Sequence, residues 1–167
     1  MRAVTNAGPL IHPSWIGRLD LLPALFDAII APVGVRDEVL NVGPDIPGAT
    51  ALREAFAAGW PVVQPVNDAV AVDALMAVLD RGEAEAIVLM REAATDIILL
   101  DERRAREYAM LWGIPMTGTL GILRTARDAG LIPAVLPLLE ELRQRGFRIS
   151  AELAEEIRSE EAGPRES

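Results

Sequence analysis

Residues 79–118 read LDRGEAEAIVLMREAATDIILLDERRAREYAMLWGIPMTG, and their pattern decides the fold. Asp80 looks like the cap of a helix that begins near Gly82 and carries Glu83 and Glu85 in its first turn. Ile97–Leu100 is a short unbroken apolar run of buried-strand type, and it ends in Asp101-Glu102. Glu102–Trp112 reads as a second helix closed by Gly113, and Ile114–Thr117 as another short strand. Helices and strands that alternate in this way build a mostly parallel sheet covered on both faces. Open sheets of that kind place ligands in the crevice outside the carboxyl ends of their strands. An acid at a strand end and another at a helix start meet in such a crevice, which predicts a carboxylate metal site.

The same alternation runs outward in both directions. Ala3–Thr5, Ala28–Val33 and Val62–Val66 complete a set of five strands. Pro65 assigns the third of them to an edge, since proline cannot donate to the ladder. Helical pieces are expected over Leu10–Trp15 (or an irregular turn there), Gly17–Phe26, Gly34–Leu40, Ala49–Ala58, Asp68–Leu79, Thr119–Ala129 and Ile132–Arg145. A last helix, Ser150–Glu160, has Ser150 as its N-cap. Residues 1–150 form the expected domain and 151–167 a terminal helix with a frayed acidic tail over Ala162–Ser167.

Composition narrows the function. At 167 residues with 51% hydrophobic content, the chain is long and apolar enough for a single domain with a proper core. It has no cysteine, so disulfides and thiolate metal sites are excluded, and a reducing, cytoplasmic setting is expected. There is no apolar run of membrane-spanning length, and MRAVTNAGPLIHP reads as a strand and a turn rather than a signal peptide. A net charge of −9 argues against a broad basic platform for nucleic acid, but not against an enzyme that meets RNA through a small local patch. His12 is the only histidine, so no histidine metal cluster or triad is signalled. Trp15, Trp60 and Trp112 are isolated and read as packing residues. No dinucleotide fingerprint or P-loop occurs.

Magnesium and manganese take hard oxygen ligands, commonly a few carboxylates with water. Asp101, at the end of its strand, is the strongest candidate, with capping of the next helix as its ordinary alternative. Glu102 lies four residues before Arg106, which predicts an i,i+4 pair. Asp80 and Glu83 have the spacing of a capping box. Glu85, two residues on, points to a different face, so the spacing leaves open which of the two glutamates reaches the site. Glu38 lies at the margin of an apolar helix face. Asn6 follows the first strand at the right topological place, with a neutral oxygen to offer or a turn to serve. Thr117 and Thr119 can touch a phosphate or simply let the chain turn. Arg103, Arg104 and Arg106, with Arg124 and Arg127, supply the local positive charge for an RNA backbone or balance the acidic surface.

The segments TNAGPLI (5–11), IGRLDLL (16–22), VRDEVL (35–40), LDRGEAEAIVLM (79–90), LLDERRAR (99–106) and GIPMTGTLGIL (113–123) occur in order over about residues 3–150. In that order and spacing the chain resembles the PIN-domain superfamily, and within it a VapC-like family of small prokaryotic proteins described as predicted nucleic-acid-binding. The resemblance implies a three-layer α/β/α sandwich around a mostly parallel five-stranded sheet. It implies an acidic pocket for Mg2+ or Mn2+ whose family positions fall on Asn6, Glu38, Glu83 (with Glu85 in the recurring GExEA pattern) and Asp101. The implied activity is metal-dependent endoribonuclease, with Asp101, Glu83 and Glu38 catalytic. The implied partners are RNA, a small antitoxin and a second copy of the chain. Asn6 stands where many relatives carry aspartate, which motivates an alternative: a catalytically weak PIN fold that acts by binding RNA or protein. A phosphoacceptor regulator also clusters acids, but the 79–123 pattern fits it poorly.

Overall fold

The computed structural model describes residues 1–163. Five strands, β1 (Arg2–Thr5), β2 (Ala28–Pro32), β3 (Val62–Gln64), β4 (Ile97–Leu99) and β5 (Met116–Thr117), form one sheet in the order β3-β2-β1-β4-β5. Every pairing is parallel, so every strand ends at the same edge of the sheet. Pro65 follows β3, which is an edge strand.

Side chains alternate across each strand. Val4, Ile30 and Ile98 face one side, where they pack on α5 (Ala69–Leu75), α6 (Arg81–Glu92) and α7 (Arg103–Leu111). Ala3, Ile29, Ala31 and Leu99 face the other, against α1 (Gly8–Trp15), α2 (Leu21–Leu25), α3 (Val33–Leu40), α4 (Ala49–Ala57) and Ile122 of α8 (Thr119–Asp128). The result is the three-layer α/β/α sandwich expected from the sequence. A third cluster joins Leu123 and Ala126 of α8 to α9 (Leu136–Gln144) and to Ile157 of α10 (Ala151–Glu161). The last four residues of the expected acidic tail lie outside the described residues.

Three helices are shorter than their sequence patterns suggest. Gly17–Phe26 contributes only the five residues of α2. Asp68 caps α5 by accepting from Ala71 N–H at 2.9 Å, and that helix stops at Leu75 rather than Leu79. The segment expected to start at Ile132 becomes helical only at Leu136. Pro133 disfavours helical backbone at the residue before it and has no N–H to donate. Glu161 from α10 then serves as the missing cap, accepting from Val135 N–H and Leu136 N–H at 2.5 and 3.0 Å.

The strand order reverses between β1 and β4. The chain steps one way from β1 through β2 to β3, then returns to place β4 on the other side of β1. That is a topological switch point, where the loops leaving two adjacent parallel strands separate and open a crevice. Thr5 pairs with Leu99, and Asn6 N–H donates to Leu99 O at 3.0 Å, so Asn6 and the Leu100-Asp101 segment leave the sheet side by side.

Candidate functional site

A cavity of about 520 Å³ opens at this switch point, with Asn6, Glu38, Asp80, Glu83, Asp101 and Glu102 in its wall. Each acid arrives by a local rule. Glu83 is the third residue of α6 and completes a capping box: Asp80 Oδ1 accepts from Glu83 N–H at 2.8 Å, and Glu83 Oε2 accepts from Asp80 N–H at 3.1 Å. The capping role therefore occupies one oxygen and leaves the other free. Glu38 comes from α3, whose buried Val35 and Val39 fix which side of that helix faces outward.

The acids crowd one another. Loss of hydration around the Glu83 carboxyl, then the charges of Asp80, Glu102 and Glu38, push its pKa up against the opposing backbone hydrogen bond. Glu38 moves the same way, by desolvation first and then by Asp80 and Glu102, although the residue retains accessible surface. Asn6 is 4% exposed. Its Oδ1 is buried and accepts no hydrogen bond, a costly state for an amide oxygen. A Cβ built on Gly82 would lie 3.2 Å from Glu38 Oε2 and 3.3 Å from Asn6 Oδ1. The first turn of α6 thus approaches both oxygens because residue 82 has no side chain.

Asp101 is held differently. Its ordinary alternative, capping α7, is not what the structure shows: Glu102 is the N-cap residue there and Asp101 turns to α8 instead. Its Oδ1 accepts from Thr119 N–H at 2.7 Å, and its Oδ2 accepts from the Thr119 hydroxyl at 2.6 Å. Oδ2 also meets His12 Nδ1 at 2.6 Å. An ionised carboxylate is acceptor-only, so Nδ1 carries the proton in that bond. Cβ atoms on Gly8 or Gly118 would come within 2.9 and 2.7 Å of the Asp101 oxygens, so both neighbouring loops depend on glycine to close around the carboxylate. His12 is the residue that sequence reasoning missed. It lies 89 positions from its partner, and no local spacing announces the pair.

The remaining candidates divide. Arg104 lines the cavity and donates to Val78 O at 3.2 Å. Glu85 does not line it: its Oε2 accepts from Gly34 N–H at 2.6 Å at the start of α3, and its Oε1 accepts from Arg81 at 2.7 Å. Thr119 is fully buried, with its hydroxyl committed to Asp101. Thr117 and Arg106 border a neighbouring depression that also touches Asp101. Arg103 is exposed on α7 and pairs with Glu107 at 2.8 Å. The expected Glu102–Arg106 ion pair is absent among the described residues. Arg106 donates to Leu100 O at 2.8 Å, and Glu102 faces the cavity.

The carboxylates and the Asn6 amide in the cavity wall offer oxygens, the type that magnesium and manganese prefer, and the unpartnered Asn6 oxygen fits a hard cation. Among the described residues, no three histidine or carboxylate side chains converge as they would around a bound ion. The acids line an opening rather than form a closed cage.

A family model, DUF3368, described as a PIN domain, matches residues 2–162. No curated protein matches the chain at a significant level. PIN domains are generally nucleases, and they generally use divalent metals. The match spans nearly the whole chain and includes every element that builds the cavity, so the chain belongs to the PIN-domain superfamily.

Proposed function

We propose that the protein is a divalent-metal-dependent endoribonuclease of the VapC toxin type, hydrolysing RNA phosphodiester bonds at the β1–β4 switch point. The observation that carries the reading is the buried, unpartnered Asn6 oxygen in a cavity whose acids repel one another. Asn6, Glu38, Glu83 and Asp101 would hold Mg2+ or Mn2+. Such an ion, when bound, lowers the pKa of a water and neutralises charge developing on the phosphate. Glu83 keeps a free oxygen beyond its capping bond, and Glu38 brings its charge from the opposite helix. Of about four acceptor positions on a carboxylate, Asp101 has committed three, and the Thr119 and His12 bonds fix its orientation. Glu85 holds the start of α3, the helix that presents Glu38. With the VapC reading go a cytoplasmic setting, a small antitoxin as partner and a homodimeric state, all drawn from the family resemblance.

A second reading, a catalytically weak PIN protein that acts by binding RNA or protein, draws on two observations. Asn6 supplies no charge, and Asp101 is already bonded to His12 and Thr119.

Calorimetric titration of Mn2+ into metal-free protein tests the proposal. Binding is expected in the native protein, at least about tenfold weaker in Glu83→Gln and Asp101→Ala, together with RNA cleavage that EDTA abolishes. If the native protein neither binds Mn2+ nor cleaves RNA while Asn6→Asp gains binding, the second reading replaces the first.

A further inference from the structure

All sixteen basic residues of the chain are arginine. Most of those described hold a carboxylate: Arg18, Arg36, Arg81, Arg103, Arg124 and Arg127 are examples. Arg2, Arg53, Arg91, Arg104, Arg106 and Arg148 hold none among the described residues, and of these Arg104, Arg106 and Arg148 line depressions that Asp101 also lines. Arg104 lines the acid cavity, while Arg106 and Arg148 line a second depression of about 430 Å³ that shares Asp101 with the first.

Charge changes sign across that shared residue. Five carboxylates line the first cavity, and Asp101 is the only one in the wall of the second. Arg124, also in the second wall, is neutralised by Glu156 and Glu160 at 3.0 and 2.9 Å. Arg106 uses one N–H on Leu100 O and keeps the rest of its guanidinium. Arg148 is exposed and makes no hydrogen bond or ion pair among the described residues. A guanidinium without a carboxylate is a fork of donors matched to a phosphate.

Aromatic rings connect the two depressions. Trp15 and His12 border the acid cavity and Phe147 borders the second. His12 meets Trp15 and Phe147 edge-on, each with ring centroids 4.9 Å apart. Proteins that hold single strands combine cationic groups along the backbone with aromatic faces for the bases.

We infer that the second depression is a phosphate subsite for single-stranded RNA, in which Arg106 and Arg148 grip a backbone phosphate next to the one in the acid cavity and a base rests on Phe147. The inference rests on the nuclease reading for the position of the reacting phosphate, but the subsite itself needs no metal. It also explains how a chain of charge −9 binds a polyanion: the favourable contacts are concentrated beside the acids rather than spread over a face.

The test is fluorescence anisotropy of a labelled, cleavage-resistant 2′-O-methyl hexauridylate with the full chain in EDTA, across a series of salt concentrations. Arg148→Gln should bind about 3–10-fold more weakly, with its salt slope reduced by about 0.7. Arg106→Gln/Arg148→Gln should lose at least about 20-fold. Arg91→Gln, at the far end of α6 from Glu83, should stay within about twofold of native. Melting curves establish that each variant is folded. No binding by native protein, or equal losses from Arg148→Gln and Arg91→Gln, overturns the subsite. Metal-dependent cleavage with unchanged Arg148→Gln binding sinks the subsite and spares the nuclease. Arg148-dependent binding without any cleavage spares the subsite and sinks the nuclease.

Discussion

Glu83 belongs to two structures at once, a helix cap and an acid cavity, and these respond differently to its charge. The cap needs only an oxygen acceptor, whereas in the cavity burial and the neighbouring carboxylates disfavour the charged form of Glu83. Glu83→Gln therefore keeps the capping box and removes repulsion, and should stabilise metal-free protein by about 0.5–1 kcal/mol at pH 7. The pH dependence has a definite sign. The folded pKa values of Glu38 and Glu83 lie above the ordinary 4.5, so protonation of these acids favours the fold. That contribution is complete below 4.5 and is lost as pH rises through the raised values. The advantage of Glu83→Gln should vanish below pH 4.5 and grow above it, as chemical denaturation at a series of pH values would show. An advantage independent of pH would mean that charge crowding is not its source. The capping box was legible in the sequence because both partners lie within one turn. The His12–Asp101 bond was not, because only the completed fold brings the two together. The Glu102–Arg106 pair was misread because spacing cannot register a competing carbonyl, here Leu100 O.

At the scale of elements, α6 presents acids on two sides. Glu83 faces the switch point, and Glu85, 8% exposed, reaches under α3 to the Gly34 N–H. Removing that acceptor leaves a buried donor unsatisfied, so Glu85→Ala should cost about 1–3 kcal/mol. Mn2+ should still bind the folded variant with unchanged stoichiometry. Urea unfolding beside Mn2+ titration checks both; loss of the ion without loss of stability would return Glu85 to the ligand set. Strands β2 and β4 were readable as apolar runs, since burial on both faces removes any need for polar alternation. The start of α9 was not readable, because its cap is Glu161, a residue from another helix. The division of labour between Glu83 and Glu85 also needed structure. Sequence shows that they point apart, and only the position of α3 shows where each one leads.

For the whole molecule, an ion held in the acid cavity would link occupation of the site to folding. An ion that binds only the folded chain at a hundred times its Kd adds about 2.7 kcal/mol, worth roughly 5–11 °C in a domain of this size. Thermal unfolding in Mn2+ should show that rise, and Asp101→Ala should lose most of it. A native Tm indifferent to Mn2+ would argue that the cavity holds no ion. The strand order has a further consequence, one of timing during synthesis. β1 is made before the other strands and lies at the centre of the sheet, yet Ala3, which pairs with Ile29 on one side, finds its second partner only when Ile97 has been added. At about 5–20 residues per second, one side of β1 stays unpaired for roughly 5–20 s on the ribosome. Until then Asn6 has no Asp101 beside it, and the Asp101 carboxylate is not oriented until Thr119 arrives. On the nuclease reading, a chain that has not yet reached Thr119 has no assembled site with which to cut the message it is being read from, and one released that early emerges with an open central strand.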